Sequence, residues 1–310
     1  MFKLNCMQMG DVVGLLDGRN VVVTGAGRGI GAAIARLAGQ EGACVVVNDL
    51  DLAPAEEVVA DIKAAGGRAV AHVADIVEWD GAGSLIDRCV DEFGSIDGLV
   101  ANAGMFYMSL PAEQRPDDFR RMIEFNSVAV AYPGLHAIRR MTAQGSGSIV
   151  NVTSSSAGGL AAMSAYGASK GAVLSLTVGW ALDLQSSGIR VNGLSPIAMT
   201  RMHEWRMDYE QIPDDERAAV RAARHVDPEF NAPPAVFLLS DRSSHVTGQI
   251  LQIERGSRLG ILSHPHLIGP TVTVRQGSLD DVESAFRDTF DAQLQPFGTA
   301  ALPAPVSQRG

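Results

Sequence analysis

Asn20-Val-Val-Val-Thr24-Gly25-Ala-Gly-Arg28-Gly29-Ile30-Gly31 decides the fold of this chain. The first five residues are rich in valine and run into a turn, which reads as a short buried strand. A glycine-rich turn follows, and Ala32-Ala-Ile-Ala-Arg-Leu-Ala-Gly-Gln-Glu41 then reads as a helix. Strand, glycine turn and helix in that order form a phosphate cradle. The glycines allow close backbone approach, and the helix N-terminus attracts an anionic pyrophosphate. A glycine-rich turn alone is weak evidence, because loops and helix caps also collect glycine. The next strand, Ala43-Cys-Val-Val-Val-Asn-Asp49, strengthens it. Asp49 lies roughly 20 residues beyond the turn, where an acid accepts from ribose hydroxyls. The plainer alternative for Asp49 is a turn residue.

Outward from this unit, strands and helices alternate. Helices are expected at Ala53 to Ala65, Trp79 to Phe93, Asp117 to Met141 and Tyr166 to Gln185. Strands are expected at Arg68 to Val73, Ile96 to Ala101, Gly147 to Thr153, Ile189 to Leu194 and Gln249 to Ile253. This alternation implies an α/β, doubly wound (Rossmann) parallel sheet of about seven strands, with helices on both faces. Residues 197–226 are charged with embedded Met and Trp, the composition of a mobile flap. Beyond residue 257, Thr271 to Arg275 reads as a short edge strand. Ser278-Leu-Asp-Asp281 then opens a helix with an apolar stripe of Val282, Phe286, Thr289, Phe290 and Leu294. The Pro-containing end, Ala300 to Gly310, is expected to fray.

Hydrophobic residues make up 46% of the 310, ample for a core. The net charge of −10 comes without a basic run, which argues against nucleic acid or an anionic membrane surface as partner. No apolar run approaches the roughly 18 residues that span a bilayer. The first residues do not read as a signal peptide. Cys6, Cys44 and Cys89 are few and scattered, which fits reduced thiols and a cytoplasmic location. No metal is expected.

Far downstream stands Tyr166-Gly-Ala-Ser-Lys170, with one of four tyrosines and one of three lysines. Residues four apart share a helix face, so the ammonium sits beside the phenol. A nearby cation favours the phenolate, and a phenol tuned toward neutrality exchanges a proton with an alcohol or carbonyl oxygen. A packing tyrosine beside a solvated lysine is the plainer alternative.

Together these motifs resemble the short-chain dehydrogenase/reductase family, over roughly residues 18 to 256. The Thr24-to-Gly31 turn, Asp75, Asn102-Ala-Gly104, Asn126, the serine cluster, Tyr166 and Lys170 occur in family order. Val-Val-Val-Asn-Asp49 and Asn192-Gly-Leu-Ser-Pro196-Ile-Ala-Met-Thr200-Arg-Met202 are similar to the dehydrogenase domain of peroxisomal multifunctional enzymes and its bacterial single-domain relatives. The resemblance implies residues 1–17 as an extension, 18–256 as the dinucleotide-binding domain and 257–310 as a C-terminal extension. It places Gly25, Arg28, Gly29, Ile30, Gly31, Asp49, Asp75, Ile76, Asn102, Ala103, Gly104, Tyr166, Lys170, Pro196 and Thr200 against the cofactor, with the Lys170 ammonium reaching the nicotinamide ribose. Asp75 and Ile76 would flank adenine, and Thr200 would hold the carboxamide. Asn102 would brace the sheet.

In the same resemblance, Asn126 anchors a water that links Lys170 to solvent. The serine that holds the substrate oxygen is ambiguous within Thr153-Ser-Ser-Ser156. Spacing to the tyrosine points to Thr153, and alignment from the strand points to Ser154, with Ser155 in reserve. Met105, Phe106, Ser155, Met163, Met202 and Trp205 are the candidate substrate contacts.

The chain therefore reads as an NAD-dependent oxidoreductase that interconverts a secondary alcohol and a ketone. Its substrate is bulky and hydrophobic: a hydroxysteroid, a 3-hydroxyacyl thioester or an alicyclic alcohol. Arg28 could serve an NADPH-dependent 3-oxoacyl reductase by meeting a 2′-phosphate, but Asp49 would repel that group. A non-catalytic NAD sensor would not need the complete Asn-Ser-Tyr-Lys set. Apolar residues on more than one face of the two long helices suggest a homo-oligomer, as in the tetramers of relatives.

Overall fold

The structure is a computed structural model that describes residues 14–198, 206–224, 226–254, 258–262 and 286–290. Valine runs build its centre. Strands β1 (Asn20–Val23) and β2 (Cys44–Asp49) lie side by side and parallel, with Val21 opposite Val45 and Val22 opposite Val46. Side chains alternate across a strand. Val21, Val23, Val45 and Val47 therefore enter one core layer, and Val22 and Val46 enter the other. Both faces are covered, which is why Val21–Val23 and Val45–Val47 are apolar without alternation.

The remaining strands are β3 (Arg68–Val73), β4 (Gly98–Ala101), β5 (Gly147–Val152), β6 (Ile189–Ser195), β7 (Ile250–Glu254) and β8 (Arg258–Ile261). The order is β3-β2-β1-β4-β5-β6-β7-β8. Seven strands are parallel, as read from the sequence, and β8 pairs antiparallel with β7 at the edge. The first core layer is covered by α1 (Gly29–Gln40), α2 (Leu52–Ala64) and α8 (Ala232–Leu239). The second is covered by α3 (Trp79–Phe93), α5 (Ala129–Gln144) and α6 (Ser164–Asp183).

One expected element differs. The helix anticipated from Asp117 to Met141 is two helices, α4 (Pro116–Ile123) and α5, joined by a π-helical turn at Glu124–Val128. Such bulges reorient side chains and often mark functional sites. This one carries Asn126. Within the stretch read as a flap, Asp214–Arg224 forms helix α7. Of the C-terminal helix, Phe286–Phe290 forms a π-helical turn, and its other expected residues lie outside the described ones. No helix among the described residues is long and apolar enough to cross a membrane.

Connections leave β1 and β4 in opposite directions, so a crevice opens at their carboxyl ends. Thr24 closes its floor. Its buried hydroxyl accepts from the backbone N–H of Asn102 and of Ala103, each at 3.0 Å. The Asn102 amide donates back to Thr24 O at 3.0 Å and Gly25 O at 3.1 Å. Replacing Thr24 by Val keeps the shape but strands two backbone donors. The expected loss is about 2–4 kcal/mol of unfolding free energy. Urea titration of Thr24→Val checks this, and a wild-type midpoint would refute it.

Candidate active site

The cradle is built by exclusion of side chains. A Cβ at Gly31 would fall 2.3 Å from Gly25 O and 2.5 Å from the Asn102 amide nitrogen. Gly25 and Gly29 have φ of +59° and +57°, where a side chain is strained. The first-turn N–H groups of α1 have no intrahelical partner. Arg28 at its N-cap makes no capping bond, and no acid sits in the first turn. The positive end of the helix is thus left for an anion. Ile30 is half-buried against the core behind it.

Asp49 ends β2 beside this turn. Its carboxylate accepts from Gly27 N at 2.9 Å and Asp51 N at 3.2 Å. A carboxylate offers roughly four acceptor positions, so about two remain for the hydroxyls of a ribose. Gly27 is required for this approach: a Cβ there would lie 2.8 Å from Asp49 Oδ2. Arg28 points to Asp51, with Nη1 2.8 Å from Oδ2. The sequence reading missed Asp51, although it lies two residues from Asp49.

The other cradle candidates also line the carboxyl edge of the sheet. Asp75 is exposed and accepts from Val77 N at 3.2 Å. Ile76 is buried in the second core layer. Ala103 and Gly104 follow β4. Pro196 follows β6, and the next residue is clamped by buried Asn231, which accepts from Ile197 N at 3.1 Å and donates to Ile197 O at 3.0 Å. These donors, glycines and acid fit a dinucleotide. Thr200, Met202 and Trp205 lie outside the described residues.

At the end of β5, hydroxyls turn in different directions. Thr153 is buried and donates to Lys170 O at 2.9 Å, so its hydroxyl is spent on anchoring α6. Ser154 is the serine that hydrogen bonds to the Tyr166 phenol. Ser154 Oγ also accepts from Ser156 N at 3.2 Å and Ser156 Oγ at 3.0 Å. Ser155 donates its backbone N–H to Ser195 Oγ at 3.0 Å.

Tyr166 and Lys170 lie one turn apart on α6, as the spacing requires. The Lys170 ammonium is 5.9 Å from the Tyr166 ring centroid and donates to Val152 O at 2.9 Å. Burial lowers it from 10.5 to about 8. Burial also drives the Tyr166 phenol up to about 12, and the Ser154 bond opposes this. The protein by itself therefore keeps the phenol protonated, against the expectation of a phenol tuned toward neutrality. Loss of water around the phenol outweighs the Ser154 hydrogen bond. The Phe106 ring is buried and meets Tyr166 edge-on, 5.0 Å between centroids at 87°. Met105 is half-buried, and Met163 is buried just before α6.

Asn126 is fully buried, and its side chain is committed to protein groups. Oδ1 accepts from Met105 N at 2.8 Å, while Nδ2 donates to Met105 O at 3.0 Å and Ser169 Oγ at 3.1 Å. Ser169 Oγ donates to Tyr166 O at 2.7 Å, and Ser127 Oγ donates to Ser169 O at 3.0 Å. Asn126 and Ser169 thus tie the loop carrying Phe106 to the turn carrying Tyr166. Ser169 was overlooked in the sequence; its signal was its place directly before Lys170.

The buried ammonium carries a pH signature. Between about 8 and 10.5, folded Lys170 binds fewer protons than unfolded Lys170, so stability rises with pH across that window. Tyr166 acts oppositely, between its ordinary 10.0 and about 12. From pH ~7 to pH ~10, wild type should gain on the order of 2 kcal/mol relative to Lys170→Met. Urea unfolding of both at each pH measures it, and parallel curves would rule it out.

Comparison with known proteins agrees with this geometry. The family model described as short chain dehydrogenase matches residues 19–209. The chain is 41% identical over 245 residues to cis-4-hydroxycyclohexanecarboxylate dehydrogenase of Sinomonas cyclohexanicum, covering 77% of this chain and 96% of that protein. It is 33% identical over 248 residues to the 3-oxoacyl-[acyl-carrier-protein] reductase FabG of Thermotoga maritima, covering 78% and 98%. A crystal structure of a short chain dehydrogenase from Mycobacterium avium superposes with a TM-score of 0.78 at 29% identity, covering 92% of this chain and 98% of that one. With a nucleotide cradle at the sheet switch point and a Ser-Tyr-Lys cluster beside it, the chain belongs to the short-chain dehydrogenase family, an oxidoreductase acting on CH–OH groups.

Proposed function

We propose that the protein is an NAD-dependent dehydrogenase that interconverts a hydrophobic secondary alcohol and its ketone, with an alicyclic alcohol as the preferred substrate. The observation that carries this reading is the convergence of Ser154 and Lys170 on one phenol, Tyr166, beside the cradle. When bound, the cofactor accepts or returns the hydride. Ser154 holds the substrate oxygen and shares its developing charge. Tyr166, protonated in the free protein, donates its proton to a ketone oxygen in reduction and takes one from the alcohol in oxidation. The Lys170 ammonium stabilises the phenolate left behind. Asn126 holds the loop that bears Phe106, keeping an apolar wall against the Tyr166 ring.

Asp49 supports NAD, because its unused acceptor positions suit free ribose hydroxyls and its charge opposes a 2′-phosphate. The similarity to the cyclohexanecarboxylate enzyme supports an alicyclic substrate. The similarity to FabG favours a second reading, an NADPH-dependent 3-oxoacyl reductase. A panel of substituted cyclohexanols, hydroxysteroids and 3-hydroxyacyl thioesters, each with NAD and with NADP, separates the two when followed by absorbance of the reduced cofactor. Fastest turnover on a thioester with NADP would replace the first reading by the second.

Tyr166→Phe should lose at least about 100-fold in kcat, the scale of general acid–base catalysis, while NAD still binds. Ser154→Ala should cost more than Ser155→Ala. Kinetics together with fluorescence titration of NAD decide both points. Substantial turnover by Tyr166→Phe would make the tyrosine structural, and the reverse order of the serines would move the oxygen-holding role to Ser155.

We also propose a cytoplasmic homo-oligomer, most simply a tetramer. Leu182 on α6 is 60% exposed, and Leu174, Leu176, Val178 and Trp180 are only half-buried in one copy. A two-fold pairing of this helix would cover them. Light scattering should report a multiple of the chain mass; a stable monomer at micromolar concentration excludes the proposal.

A further inference from the structure

The loop that reads the ribose holds a cation that the NAD reading leaves without a task. Arg28 follows Gly27, whose N–H is bonded to Asp49, so its guanidinium is based beside the ribose position. It is directed at Asp51, which it meets at 2.8 Å, and both side chains remain solvent-accessible. Asp51 in turn donates its own backbone N–H to the other Asp49 oxygen. One arginine is therefore paired with Asp51 and lies in the field of Asp49, and the trio carries a net negative charge at the edge of the cradle.

We propose that Asp51 is a second determinant of cofactor choice: it engages Arg28 and keeps that side chain from serving a 2′-phosphate. The proposal rests on the NAD reading of Asp49 and adds to it. A phosphate on the ribose would enter the field of both acids, and a guanidinium is the side chain suited to meet it with two parallel donors. While Asp51 competes for those donors, the phosphate meets repulsion without compensation. Removing the Asp51 charge makes the trio neutral and frees the guanidinium in place. Asp49 excludes the phosphate directly; Asp51 does so by occupying the residue that would welcome it. An exposed pair holds weakly in water, so the arginine can change partners once its acid is gone.

Binding separates the two ideas without reference to turnover. Affinities for NAD and NADP are measured by isothermal titration on wild type, Asp51→Asn and Asp51→Asn/Arg28→Gln. Asp51→Asn retains the backbone N–H that holds Asp49, and thermal melts without cofactor check that each variant is folded. The expected result is that Asp51→Asn binds NADP about tenfold more tightly than wild type does, with NAD affinity changed by no more than about twofold. The double variant should return NADP affinity to the wild-type level or below. An unchanged NADP affinity in Asp51→Asn overturns the proposal, as does a gain that survives loss of Arg28. Wild type that binds NADP as tightly as NAD instead overturns the NAD reading. The wild-type ratio and the variant shift are thus read from different measurements.

Discussion

The site depends on burying the Lys170 ammonium beneath the carboxyl end of β5. Desolvation disfavours its charged form, and Val152 O, at 2.9 Å, is the acceptor that holds it. Such a group persists only where surrounding structure over-determines its position. Here the constraint comes from three side chains on two elements. Thr153 at the strand end donates to the Lys170 carbonyl, Ser127 in the π-helical turn to the Ser169 carbonyl, and Asn126 to the Ser169 hydroxyl. Helix α6 can then occupy one register over the sheet, and Tyr166 has one place to stand. The apolar cores on either side supply the free energy that makes this polar cluster affordable.

The same constraint links the two halves of the crevice. A Cβ on Gly104 would lie 2.6 Å from Asn126 Oδ1 and 3.5 Å from the Lys170 ammonium. The loop after β4 is therefore pressed against Asn126 and Lys170, while its first residues, Asn102 and Ala103, are bonded to Thr24 under the cradle. Two hydrogen-bonded braces meet in one short loop. Displacement at either end would be felt at the other, because close-packed interiors transmit strain.

Charge is arranged in the opposite manner at the outer edge. Around Tyr166 it is buried and narrowly positioned. Around Asp49 it is open to water, and Arg28 and Asp51 form an exposed pair. Buried polar groups set geometry at large free-energy cost, whereas exposed ones bias binding at small cost. Proton transfer needs the former, and discrimination between two nucleotides that differ by one phosphate can use the latter.

Legibility in the sequence follows from the range of each interaction. The parallel sheet, the glycine cradle, Asp49 and the Tyr166–Lys170 pair rest on periodicities and spacings within a few dozen residues, and local sequence carries such patterns. The eighth strand was missed because Arg258–Ile261 is an edge, where only pairing with β7 defines a strand. The break in the helix around Asn126 was missed because no glycine marks it; its cause is the demand of Met105 and Ser169, distant in sequence, on one side chain. The choice among Thr153, Ser154 and Ser155 was likewise closed to spacing. Three neighbouring hydroxyls differ only in direction, and direction is set by contact with Lys170, Tyr166 and Ser195. The sequence by itself determined which chemical groups the protein has and the sheet that carries them. Tertiary structure alone decided which of those groups meet, how far burial shifts their proton affinities, and that Arg28 faces Asp51, because these depend on contacts and dielectric that exist only once the chain has closed on itself.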